Sequence, residues 1–105
     1  MQGLISSVPQ GVERLLSSDT AQSLDLVTAF PDDVNELLVT CEGNPVRIGL
    51  GGTVPTQGAT CVGLKLDPGA TLWLGSRAAV RTFQYISEAA STAGVLQVVK
   101  LVGSN

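Results

Sequence analysis

Histidine is absent from this 105-residue sequence, and cysteine occurs only twice. Without an imidazole, neither a Ser-His-Asp nor a Cys-His nucleophile system can be assembled, and His-ligated zinc, copper and non-haem iron sites are excluded. Cys41 and Cys61 stand 20 residues apart. That spacing excludes a CxxC redox motif, and two cysteines cannot make a four-cysteine zinc site. A disulfide between them stays open, but each lies in an apolar, strand-like run, which favours two buried reduced thiols and a reducing compartment. Positive charge is scarce too: six bases against nine acids give a net charge of −3 and a pI near 4.6. Arg14, Arg47, Lys65, Arg77, Arg81 and Lys100 are dispersed, whereas binding a phosphate backbone needs clustered cations, so no nucleic-acid partner is expected. No apolar run approaches the ~18 residues of a spanning helix, so no membrane partner is expected either. The opening MQGLISSVPQG lacks the basic flank and long apolar stretch of a secretory signal.

What is present suits one small domain. At 105 residues and 44% hydrophobic content, the chain can bury about two thirds of its unfolded surface without disulfides or metal. Turn signals recur at short intervals, at Pro9-Gln10-Gly11, Pro31-Asp32-Asp33, Gly43-Asn44-Pro45, Gly51-Gly52, Asp67-Pro68-Gly69 and Gly94. Between them, short runs alternate with the period of a half-buried strand. In Glu36–Glu42, Leu37, Val39 and Cys41 share one face and Leu38 and Thr40 the other. Val46–Leu50 places Val46, Ile48 and Leu50 opposite Arg47, and Gly43-Asn44-Pro45 reads as a hairpin turn joining these two strands. Cys61–Leu66, with Val62, Leu64 and Leu66 inward, leads through Asp67-Pro68-Gly69-Ala70 to Thr71–Leu74 as a second hairpin. Val95–Val102 is apolar on both faces, as in a strand covered on both sides. Val12–Leu16 and Ser23–Thr28 are weaker strands. Ser76–Ala90 has a helical rival in its alanines, but the β-branched and aromatic content of Val80–Ile86 favours a strand. About eight short antiparallel strands predict an all-β chain folded as a single β-sandwich, jelly-roll-like, over residues 12–105, with residues 1–11 as an N-terminal arm.

Chemical constellations are sparse. Gly49-Leu50-Gly51-Gly52-Thr53 lacks the Lys-Ser/Thr and the following helix of a phosphate loop, and reads as a flexible connection. Asp32, Asp33 and Glu36 are the densest acidic cluster; they lack calcium-loop spacing and read as a solvated turn, leaving a carboxylate hydrolase as the weakest function. No catalytic, cofactor or metal residues are assigned. Contact residues are better represented. Trp73 is the single tryptophan and either anchors a partner or packs in the core. Arg77 and Arg81 can fork onto carboxylates, and Leu4, Ile5 and Val8 would suit an arm that orders on a neighbouring subunit.

One resemblance covers Leu37–Val102. The strand-turn-strand EGNPVRIGLGG, a Pro/Gly loop, LKLDPGATLWLGS, and a closing GVLQVVKLV after SEAASTAG together resemble the capsid decoration, or cement, proteins of tailed bacteriophages. The resemblance implies a β-sandwich or jelly-roll subunit, a homotrimer, seated on the outer surface of the virion capsid and bridging major capsid protein subunits after assembly in the host cytoplasm. It brings no enzymatic activity and no cofactor. Two other readings accompany it: a head-to-tail or fibre-attachment virion component, and a carbohydrate-binding β-sandwich module stacking a sugar on Trp73 or Tyr85.

Overall fold

The computed structural model describes residues 8–23, 34–58 and 61–102, with side chains from residue 11 onward. Among the described residues, eight strands and one short helix follow in the order β1 (Val8–Leu16), β2 (Gln22–Ser23), β3 (Glu36–Glu42), β4 (Val46–Gly49), β5 (Leu64–Leu66), β6 (Thr71–Leu74), α1 (Arg77–Thr82), β7 (Gln84–Ser87) and β8 (Val95–Val102). They form two four-stranded antiparallel sheets, sheet A in the order β1-β8-β3-β6 and sheet B in the order β2-β7-β4-β5. Each strand pairs with its counterpart counted from the other end of the chain: β1 with β8, β2 with β7, β3 with β6, β4 with β5. The described chain is thus a long hairpin wound over itself, with successive pairs alternating between sheets.

The alternation of apolar residues decides which faces meet. Leu15, Leu37, Val39, Cys41, Leu74, Leu96 and Val98 from sheet A share one buried cluster with Val46, Ile48, Leu66 and Tyr85 from sheet B. Val80 and Phe83, in and just after α1, belong to the same cluster. Burial of the alternate residues of β3, as the sequence predicts, places Leu38 and Thr40 on the opposite, outer face.

A buried polar corner fastens the sheets where β1, β7 and β8 come together. Ser17 Oγ accepts from Gly94 N–H at 2.8 Å and shares a hydrogen bond with Ser87 Oγ at 2.8 Å. Ser17 N–H donates to Gly94 O at 2.9 Å and Ser87 N–H to Ser18 O at 2.9 Å. Gly94 is required by close approach: a Cβ there would collide with Asn44 O and Val46 Cγ2. These bonds satisfy groups that would otherwise be buried without partners.

Several sequence expectations are corrected. Gly43-Asn44-Pro45 does not close a hairpin, because β3 lies in sheet A and β4 in sheet B; Pro45 offers no N–H to a ladder, and Asn44 Nδ2 instead donates to Ala93 O at 2.9 Å. Asp67-Pro68-Gly69-Ala70 also crosses between sheets. Ala70 N–H donates to Asp67 O at 2.9 Å with Gly69 at φ 91°, a type II pattern whose twist does not match that of a two-residue hairpin. The consecutive strands that do pair are β4 and β5, joined by the long Gly/Thr/Pro/Gln loop.

The expected strand Val80–Ile86 is divided. Its first part lies in α1, where Ser76 Oγ caps Ala79 N–H at 3.1 Å and Ala78 and Ala79 supply helix propensity; only Gln84–Ser87 is strand. The turn of helix carries the chain from β6 in sheet A to β7 in sheet B. Leu50, Val62 and Leu64 are exposed at 38%, 48% and 47% rather than inward: Leu50 follows the end of β4, Val62 precedes β5, and Leu64 lies on β5, a three-residue edge strand. Of the strand expected at Ser23–Thr28, only Ser23 is among the described residues, where it ends β2; residues 24–28 lie outside them. β1 begins at Val8, inside the segment 1–11 expected as an arm. Among the described residues no helix is long and apolar enough to cross a membrane.

Candidate functional site: the outer faces of the two sheets

Sheet register aligns an apolar row that no single strand reveals. Val12 pairs with Val99, Val99 with Leu38, and Leu38 with Trp73, so one residue from each strand of sheet A stands in line across its outer face. At ~4.8 Å between strands the row is about 14 Å long. Val12 is 64% exposed, Trp73 60% and Leu38 37%, and Val99 is half-buried between its neighbours. The adjacent row is polar, with Arg14, Gln97, Thr40 and Thr71 in register. Thr40 and Thr71 share a hydrogen bond at 3.4 Å across the strands. Beyond it, Leu16 and Val95 pair as a second, shorter apolar patch.

The outer face of sheet B has a different character. Lys65, Arg47 and Ile86 are in register. Arg47 is held by Glu88, with Nε to Oε1 at 2.5 Å, and donates from Nη1 to Gly63 O at 2.9 Å; the hydrogen bond to Glu88 is the main reason its pKa is raised. Beside them lies a groove of about 610 Å³ floored by Ile86 and walled by Asp19–Ala21 and Val54–Gln57.

The residues expected at an interface are only partly assembled. Trp73 is on the outer face of sheet A, which resolves its two sequence readings in favour of the surface. Arg77 opens α1 and is exposed, whereas Arg81, one turn later, is half-buried and engaged in an interaction. Val8 belongs to β1 and pairs with Val102; Leu4 and Ile5 lie outside the described residues. Sequence reasoning missed Val12, Leu38 and Val99. Their signal was apolar residues on both parities of β3 and β8, but only the register joins them.

Of the acid-base candidates, one falls among the described residues. Asp32 and Asp33 lie outside the described residues, and Glu36 is 4% exposed within β3 rather than on a solvated turn. Among the described residues no cluster of three metal-ligating side chains occurs. Cys41 and Cys61 are free thiols; burial is the first cause raising Cys41 above the ordinary thiol range, and Asp67 adds to it. Tyr85 is fully buried and its hydroxyl pKa is pushed up to about 12 by desolvation. It therefore cannot stack on a sugar, which removes one of the two aromatics in the carbohydrate reading. Comparison with known proteins finds no family model, curated protein or solved structure that matches the chain.

Proposed function

We propose that this chain is a non-enzymatic capsid decoration protein of a tailed bacteriophage, with jelly-roll winding, that stabilises the head by docking the outer face of sheet A on major capsid subunits. The observation that carries the reading is the in-register row Val12–Val99–Leu38–Trp73. Its exposed part amounts to on the order of 300 Å², within the range of patches that are often functional on a monomer. The pairing of first strand with last, second with seventh, third with sixth and fourth with fifth supports the winding.

The magnitude supports a role in many copies. Burying on the order of 300 Å² at ~25 cal/mol/Å² yields about 8 kcal/mol gross, while association costs an estimated 4–15 kcal/mol. One copy docks weakly through this row alone. Copies linked to one another on a lattice gain avidity without any new shell contact. Rebinding of the purified chain to heads stripped of it tests the reading: wild type restores resistance to heat or chelator, and Leu38→Asp weakens rebinding at least tenfold. Heads equally robust without the protein would sink the mechanism.

A further inference from the structure

The sheet B groove is not used by that docking face, and its chemistry is specific. Asp19 Oδ1 at its rim accepts from Gln57 Nε2 at 3.0 Å and from Ser91 N–H at 3.0 Å. These two bonds hold the carboxyl below its ordinary range, so it is ionised at neutral pH. Ile86 and Pro55 are buried in the floor and wall, and Val54 is 55% exposed at the mouth. No base lines the groove, and Arg47, in register with Ile86, is committed to Glu88. The surface therefore offers a fixed anion beside an apolar wall.

Its complement is on the same chain. Trp73 lies on the edge strand β6, and its six-membered ring folds against Gly75, where a Cβ would come within 3.2 Å of Cη2 and Cζ2. The indole thus leans from the end of the apolar row toward the start of α1. Two residues beyond Gly75 is Arg77, exposed and without an ion pair among the described residues. An exposed indole and a free guanidinium share this corner.

We infer that the β6–α1 corner of one copy seats in the sheet B groove of a second copy, Trp73 against Val54 and Ile86 and Arg77 opposite Asp19. Charge and polarity match at both points, a cation to an anion and a ring to an apolar wall. Corner and groove are different surfaces, so the contact is heterologous: each copy keeps one of each to offer, and repetition closes into a ring or continues as a filament. With Trp73 turned into the neighbour's groove, Val12, Val99 and Leu38 remain for the shell, and the association supplies the linkage between copies that this weak docking row needs. Its biological purpose rests on the decoration reading, although its test does not.

The test is light scattering on the full chain, eluted from a sizing column over a wide concentration range. Wild type is expected to self-associate, and Trp73→Ala and Val54→Lys, both at exposed positions, each to weaken association at least tenfold while leaving the circular dichroism spectrum unchanged. An equimolar mixture of the two variants forms heterodimers and nothing larger, because one retains only a groove and the other only a corner. Asp19→Arg weakens association, and Arg77→Asp in the same chain restores it. A wild type that stays monomeric throughout overturns the inference, as does a mixture that fails to pair. Association that survives both variants but is lost in Leu38→Asp also overturns it, placing the second copy on the outer face of sheet A. Loss of head rebinding in Leu38→Asp with self-association intact separates failure of shell docking from failure of the copy-to-copy contact.

Discussion

Replacing Tyr85 by phenylalanine should make this protein more stable. The tyrosine is 0% exposed, and its hydroxyl has no hydrogen-bond partner among the described residues. A buried polar group left unsatisfied costs about 1–3 kcal/mol. The ring itself packs in the shared core, with its centroid 6.1 Å from that of Phe83, and Tyr85→Phe keeps that contact. The variant should therefore gain about 1–2 kcal/mol, which in a domain of this size raises Tm by roughly 4–8 °C per kcal/mol. The same desolvation predicts a pH dependence. The folded phenol is held to about 12, whereas in the unfolded chain it titrates near 10. Stability is thus unaffected by this group below about pH 10 and falls as pH rises toward 12, by roughly 3 kcal/mol. Tyr85 is the only tyrosine, so tyrosinate absorbance reports this one group. Denaturant melts of both proteins across that range isolate its contribution. A Tyr85→Phe variant less stable than wild type, or a folded-state titration near 10, would refute the reasoning, because the hydroxyl would then have a partner or reach solvent.

Three further outcomes follow from the polar corner and the thiols. Gly94→Ala should destabilise by about 2–4 kcal/mol, since the new methyl meets backbone oxygen and a core valine with little room to move; a thermal melt within 1 °C of wild type would contradict it. Ser17→Ala removes the partner of both Gly94 N–H and Ser87 Oγ and should cost about 2–3 kcal/mol, measured by denaturant unfolding. In timed alkylation of the native protein, half-buried Cys61 should react while buried Cys41, its thiol pKa raised, stays protected until unfolding. Equal rates at both sites would contradict the burial of Cys41.

The strands most legible in the sequence are those whose alternation is fixed by a buried face. β3, β6 and β8 span the residues their patterns predict, and Leu37, Val39 and Cys41 point inward as expected. Turn positions were equally legible, but the sheets they connect were not. Gly43-Asn44-Pro45 and Asp67-Pro68-Gly69 reverse or redirect the chain, and nothing local distinguishes a hairpin from a corner between two layers. The helix at Arg77–Thr82 competes with β-branched Val80, and the decision rests with the Ser76 cap and the crossing from sheet A to sheet B. The apolar row across sheet A was hidden for a related reason. Val12, Val99, Leu38 and Trp73 lie on four strands far apart in sequence, and they become neighbours only through pairings whose register is a property of the whole sheet. Trp73 was visible as a candidate because it is the sole tryptophan; its neighbours in the row were ordinary aliphatic residues until the pairing joined them.

The most direct test of the proposed role is a count. The proposed role places the chain in phage particles, where quantitative mass spectrometry of purified virions measures its copies against those of the major capsid protein. A shell-wide decoration protein is predicted to be present in numbers comparable with the capsid subunit. A count of a few copies per virion would contradict that role and move the protein to a vertex, the head-to-tail junction or a fibre attachment, and absence from the particle would remove it from the virion altogether.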